Sequence, residues 1–268
     1  MAKQQELLQP SRCNATSSRD GYLYESCRSC SGNKGQTLGE DLPSLRSPAD
    51  WQRAIAQTLA EPAWAWLLLG DAAHRPGWDA PAAVQAALQR GRDLARQVRS
   101  SFPSARAADL ALALGAHVAR SDEPPEVGWR QRRSQYSPRT CEITLYTRSL
   151  LALTELAVRF GLGELFTTAA LEEAALAHEI YHHLERPPQS AISALHRRAW
   201  LRVGPITLAL REPAIDEISA HRFAQELCGL VLSPAVLDLL YLHSSPQAAE
   251  SLIQQAANLP VGGEKPKE

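Results

Sequence analysis

The stretch TAALEEAALAHEIYHHLER, residues 168–186, decides how the chain is read. Leu176, Ile180 and Leu184 recur at every fourth position, Thr168 can cap the start, and Glu172 and Glu173 suit the early turns, so the pattern predicts a helix. Within it, His178-Glu179-Ile180-Tyr181-His182 has the form H-E-x-x-H. Side chains four apart stack on one face of a helix, so both imidazoles can reach a single metal ion while Glu179 projects beside it. His183 adjoins the pair but points about 100° away around the helix, and is read as exposed or structural.

Two imidazoles do not complete a hydrolytic metal centre, which takes three protein ligands and leaves one position to water. A third His six residues past the motif is excluded, because Pro188 stands there and Glu185 takes the place of the intervening Gly. A Glu on a following helix is the other common arrangement. The segment EISAHRFA, residues 217–224, supplies one. Glu217 and His221 share a face of that helix, and the small Ala220 and Ala224 allow it to approach the first helix closely.

Around these two segments the chain divides by composition. Residues 1–46 are rich in Ser, Gly, Asn and Gln without a period and are expected to be a flexible arm. Ser47-Pro48-Ala49-Asp50 is a helix start, and residues 47–104 read as a helical N-terminal region with helices near 50–59, 63–73 and 81–100. Arg92, Arg96 and Arg99 line one side of the third and read as a solvated face. Residues 105–258 form the main domain: a short helix at 105–114 closed by Gly115, a strand at 116–119, a loop at 123–138 and a strand at 141–146. Everything after Tyr146 reads as helical, at 149–160, 168–186, 192–201, 213–231, 234–242 and 246–257, punctuated by Pro187-Pro188 and Pro205. Residues 259–268 are expected to be a disordered tail. The fold class is therefore α+β, mostly α, with a small antiparallel or mixed sheet beside the H-E-x-x-H helix and a second helix carrying Glu217.

With 268 residues, 44% of them apolar and 21% charged, the chain has the composition of a folded globular protein. The formal charge of −1 provides no overall field to draw it onto nucleic acid or an anionic membrane. No apolar run approaches the ~20 residues that span a bilayer, and the polar start lacks a secretory signal, so a cytoplasmic location and no membrane partner are expected. Five cysteines in such a compartment predict no disulfide framework. Cys27 and Cys30, with Cys13 nearby, fall short of a four-ligand structural site and read as exposed thiols. Trp129-Arg130-Gln131-Arg132-Arg133, with Tyr136 and Arg139, forms a basic loop read as a flap or a solvated loop rather than a nucleic-acid contact.

H-E-x-x-H followed some thirty residues later by E-x-x-A-x-x-F-A resembles the ImmA/IrrE-type family of small zinc-dependent endopeptidases, a minimal gluzincin. The likeness extends through Ala108 to Val118 and Ile143 to Tyr146 and covers about residues 105–235. Leu232-Ser233-Pro234 departs from the family's Leu-Met-Pro ending, and His221 stands where relatives often carry Asn or Asp. The resemblance implies a zincin-like domain in which His178, His182 and Glu217 hold Zn²⁺ and Glu179 is the general base. The substrate would be a specific intracellular regulatory protein or a peptide. His221 is chosen as the oxyanion donor, with Tyr181 and Tyr136 as alternatives. Asp216, Glu173 and Glu185 are candidates to orient the ligand imidazoles, although surface ion pairs suit the latter two. The strand ending at Tyr146 is expected to be the sheet edge on which a substrate lies. Two other functions fit the same residues: a catalytically silent zincin-like regulator or binding module, and metal-dependent hydrolysis of a non-peptide amide.

Overall fold

Ser47 opens the first helix, α1 (Pro48–Thr58), with a reciprocal cap: its hydroxyl accepts from the Asp50 amide while the Asp50 carboxylate accepts from the Ser47 amide, both at 3.2 Å. Two orphan donors are satisfied this way, as the sequence pattern anticipates. The computed structural model describes residues 47–122, 132–186, 191–204 and 206–259, with backbone alone for residues 198, 200–203 and 206–208. The expected arm, Cys13, Cys27, Cys30, Pro187-Pro188, most of the basic loop and nearly all of the tail lie outside those residues.

After α1 come α2 (Ala63–Leu69), which tightens into a 3-10 turn at Gly70–His74, then α3 (Ala80–Ser101) and α4 (Ala107–Ala113). β1 (His117–Ser121), β2 (Ser134–Ser137) and β3 (Glu142–Tyr146) form a mixed sheet, and α5 (Thr147–Arg159) and α6 (Thr168–Leu184) follow. α7 (Ile192–Leu195), β4 (Arg198–Val203) and β5 (Ile206–Leu210) lead to α8 (Pro213–Cys228), α9 (Ala235–Leu242) and α10 (Pro246–Ala257). The protein is α+β and mostly helical. One apolar core runs continuously from Trp51 in α1 to Ala256 in α10. No helix among the described residues is long and apolar enough to cross a membrane.

Three expectations are corrected. The sequence predicts one helix over 192–201; only Ile192–Leu195 is helical, and β4 and β5 pair antiparallel as a hairpin. Gly204 turns it with φ 58°, next to Pro205, which a helix interior would not accept. The loop read at 123–138 contains β2, because four residues there pair with β3 and pack on α6. β3 is consequently the middle strand, in the order β1-β3-β2, parallel to β1 and antiparallel to β2, so the edge near α6 belongs to β2. In addition, Cys141 is disulfide-bonded, which the cysteine count and expected compartment did not predict.

α3 is joined tightly to α8. Ala83, Ala87 and Gly91 are buried at four-residue spacing, and the Ser219 hydroxyl of α8 donates to the Ala87 carbonyl at 2.7 Å. A Cβ on Gly91 would stand 2.4 Å from the Ser219 carbonyl oxygen, so glycine is required by close approach. The arginine row of α3 is not merely solvated. Arg92 pairs with Glu61 at 2.8 Å, Arg96 pairs with Glu226 at 3.1 Å, and Arg99 donates to the carbonyls of Ala105 and of Leu227 near the end of α8. Arg222 completes the network between Glu61 at 3.1 Å and Glu226 at 2.6 Å. Replacing Arg222 with Ala leaves both carboxylates short of a partner, and urea unfolding should show a loss of about 2 kcal/mol.

Candidate metal centre

The α6 helix begins at Thr168, as its sequence suggests, but the cap is Thr167 and not Thr168, its hydroxyl accepting from the Ala170 amide at 3.2 Å. From there α6 runs through the core, packed by α8 on one side and by α4, α5 and the sheet on others. The face that carries His178 and His182 turns toward α8, and the two Nε2 atoms are 3.2 Å apart. α8 brings Glu217 to the same point. Its Oε2 lies 3.2 Å from His178 Nε2 and its Oε1 lies 3.5 Å from His182 Nε2.

Three ligand atoms about 2.05 Å from a tetrahedral ion stand about 3.3 Å from one another. The two imidazole nitrogens are 3.2 Å apart, and each lies 3.2 or 3.5 Å from a different one of the two Glu217 oxygens, a spacing compatible with a shared cation. His178, Glu217 and His221 also form a group whose ligand atoms all lie within 4.8 Å of one another and that could hold a metal ion. The two imidazoles and the carboxylate therefore suit a divalent metal with nitrogen and oxygen preferences. Burial alone would raise the Glu217 carboxyl, but the His178 hydrogen bond and the neighbouring imidazoles of His178, His182 and His221 overcome it and hold the group well below the ordinary carboxylate range. It is thus an anion ready to act as a ligand.

Glu179 is held by the sheet. Ser134 Oγ donates to Glu179 Oε1 at 2.7 Å, and both side chains are buried. Two residues further along β2, the Tyr136 hydroxyl meets His183 Nδ1 at 2.8 Å. Residues two apart on a strand advance about 6.7 Å and residues four apart on a helix about 6 Å, so the edge strand and the helix are fastened in register. His183 is accordingly structural and buried: its Nε2 faces the Leu114 carbonyl at 3.0 Å, and burial holds its pKa below the usual range.

The remaining candidates occupy varied positions. Tyr136, engaged by His183, also accepts from Arg186 at 2.7 Å. Tyr181 is fully buried against Phe223. Asp216 accepts from the Ser193 amide at 2.9 Å and the Ser193 hydroxyl at 2.5 Å, Glu173 holds Arg106 and the Ala107 amide, and Glu185 holds Arg90. None of these three acids is bonded to a ligand imidazole, and buried His178 Nδ1 has no partner among the described residues. His221 is almost wholly buried, with Nε2 3.3 Å from Asp238 and Nδ1 3.5 Å from Arg133. Burial, together with His178 and Arg133, depresses its pKa well below the ordinary imidazole range.

Three residues of this neighbourhood were not anticipated in their roles: Ser134, Arg133 and Asp238. Arg133 belongs to the basic loop read as a flap or a solvated loop, yet its side chain is only 11% exposed and is paired with Asp238 of α9. No local pattern marks any of the three, since each acts through a partner distant in the chain. Comparison of the chain with protein-family models, with curated proteins and with solved structures gives no match.

Proposed function

We propose that the protein is a zinc-dependent endopeptidase with a zincin-like domain, of the kind its motifs resemble, in which His178, His182 and Glu217 hold the ion and Glu179 is the general base. The observation that carries this reading is the convergence of two imidazole nitrogens and a carboxylate at ligand spacing, with a second carboxylate fixed on the same helix. Bound zinc would supply a Lewis acid that polarises a carbonyl and brings the pKa of its water to about 7. Ser134 holds Glu179 Oε1, which leaves Oε2 to take a proton from the attacking water and pass it to the departing amine.

β2 offers a surface for the substrate. Tyr146 N donates to Arg133 O at 2.9 Å, so the bonded positions of this ladder fall at residues 133, 135 and 137. The amides and carbonyls of Ser134 and Tyr136 are then directed at the open edge, where an extended peptide adds as a further strand. This favours a protein or peptide substrate over a small amide, and it moves the substrate edge from β3 to β2.

The test is the metal content of the purified full chain beside its Glu217→Ala variant. One zinc per chain is expected for the parent, and its loss, with at least a tenfold to hundredfold weaker affinity, for the variant. A parent chain that takes up no zinc from a buffered excess overturns the proposal.

A further inference from the structure

A hydrolytic centre uses three protein ligands, yet four candidate donors surround this one. His221 is the additional donor: it shares the 4.8 Å group with His178 and Glu217, and its ring meets the His178 ring edge to face with centroids 4.6 Å apart. Were it to coordinate as well, it would fill the position that such a centre leaves to water.

His221 is held by two other groups. Nε2 lies 3.3 Å from Asp238 Oδ2, Nδ1 lies 3.5 Å from Arg133 Nη2, and Arg133 and Asp238 are paired with each other. A carboxylate only accepts and a guanidinium only donates, so Nε2 carries the proton and the lone pair of Nδ1 is directed at Arg133. Neither nitrogen then has a lone pair to offer a cation. Trp64 packs edge to face on the ring at 6.1 Å between centroids. The three members come from different parts of the fold: Arg133 just before β2, His221 on α8 and Asp238 on α9.

We propose that Arg133 and Asp238 are positioning residues that keep His221 out of the coordination shell, so that an ion held by His178, His182 and Glu217 retains an open position. The inference rests on the metal-centre reading above. It assigns the arginine of the basic loop and the acid of α9 to the choice of ligand set, a role beyond stabilising the fold.

The experiment loads the full chain with Co²⁺, whose visible absorption reports coordination, and titrates acetohydroxamate as a probe of the open position. The parent should bind the probe with a change of spectrum. In Asp238→Ala, His221 is released, so the affinity for acetohydroxamate should fall about tenfold or more while that for Co²⁺ rises. Asp238→Asn, whose amide oxygen still accepts from Nε2, should behave as the parent does. The double variant Asp238→Ala/His221→Phe should recover probe binding, because the competing imidazole is gone. Arg133→Met, alone and with His221→Phe, makes the same comparison should Asp238→Ala not fold. Unaltered probe binding in the folded single variants, or a loss that persists in the double variants, overturns the inference while leaving the metal centre intact. A parent chain that binds no Co²⁺ overturns both.

Discussion

Glu179→Gln should retain one zinc per chain and lose hydrolysis by about 10³-fold, the scale of an essential general base. The substitution is isosteric, and the Ser134 hydroxyl that now donates to Glu179 Oε1 at 2.7 Å can donate to the amide oxygen instead. What disappears is the ability to take up a proton at Oε2. Because the expected substrate is one particular protein, a bulk protein assay is a poor readout. Cells expressing the parent should instead accumulate new protein N-termini that are absent with Glu179→Gln and with Glu217→Ala. The two variants separate the roles, since the first retains metal and the second does not. Identical fragments from the parent and Glu179→Gln would remove Glu179 from the chemistry. Equal cellular function of those two proteins would favour the silent regulator or binding module.

Gly91→Ala should lower stability sharply, although Gly91 touches no candidate ligand. Its new Cβ would meet the Ser219 carbonyl oxygen at 2.4 Å and both the Phe223 amide nitrogen and Arg222 Cβ at 2.9 Å, two of them backbone atoms that cannot rotate aside. α3 and α8 must separate, with a cost of about 3 kcal/mol, or roughly 6–12 °C in melting temperature for a chain of this size. Ser219 lies two residues beyond Glu217 on α8, so the displacement also moves that carboxylate relative to His178 and His182. Zinc affinity should fall about tenfold or more alongside the melting temperature. A variant with the parent's melting temperature and zinc content would mean that α3 and α8 are not in such close contact.

Much of the site was legible because its parts are local. His178 and His182 share a face through helical spacing alone, and Glu179 lies between them in the same turn. The cap at Ser47, the stop at Gly115 and the alternation of β3 are likewise contained in a few consecutive residues, whereas left-handed Gly229 ends α8 at Cys228, short of the 231 expected. Glu217 could be found by asking which later helix offers a carboxylate to a centre that lacks one. The hairpin at 198–210 was missed despite a local signal, since Gly204-Pro205 between runs of apolar and β-forming residues indicates a turn. β2 was missed because four residues make a strand only when a partner strand and a helix are already in place.

By itself, then, the order of residues determined the two imidazoles that meet Glu217, the acid beside them, the helices that carry them and an α+β class dominated by helix. Only the tertiary structure decided what surrounds them. Ser134 reaches Glu179 across 45 positions, Arg133 reaches His221 across 88 and Asp238 across 105. Such pairings depend on how β2, α8 and α9 are brought together by burial of the common core, a non-directional force that leaves no period in the sequence to read.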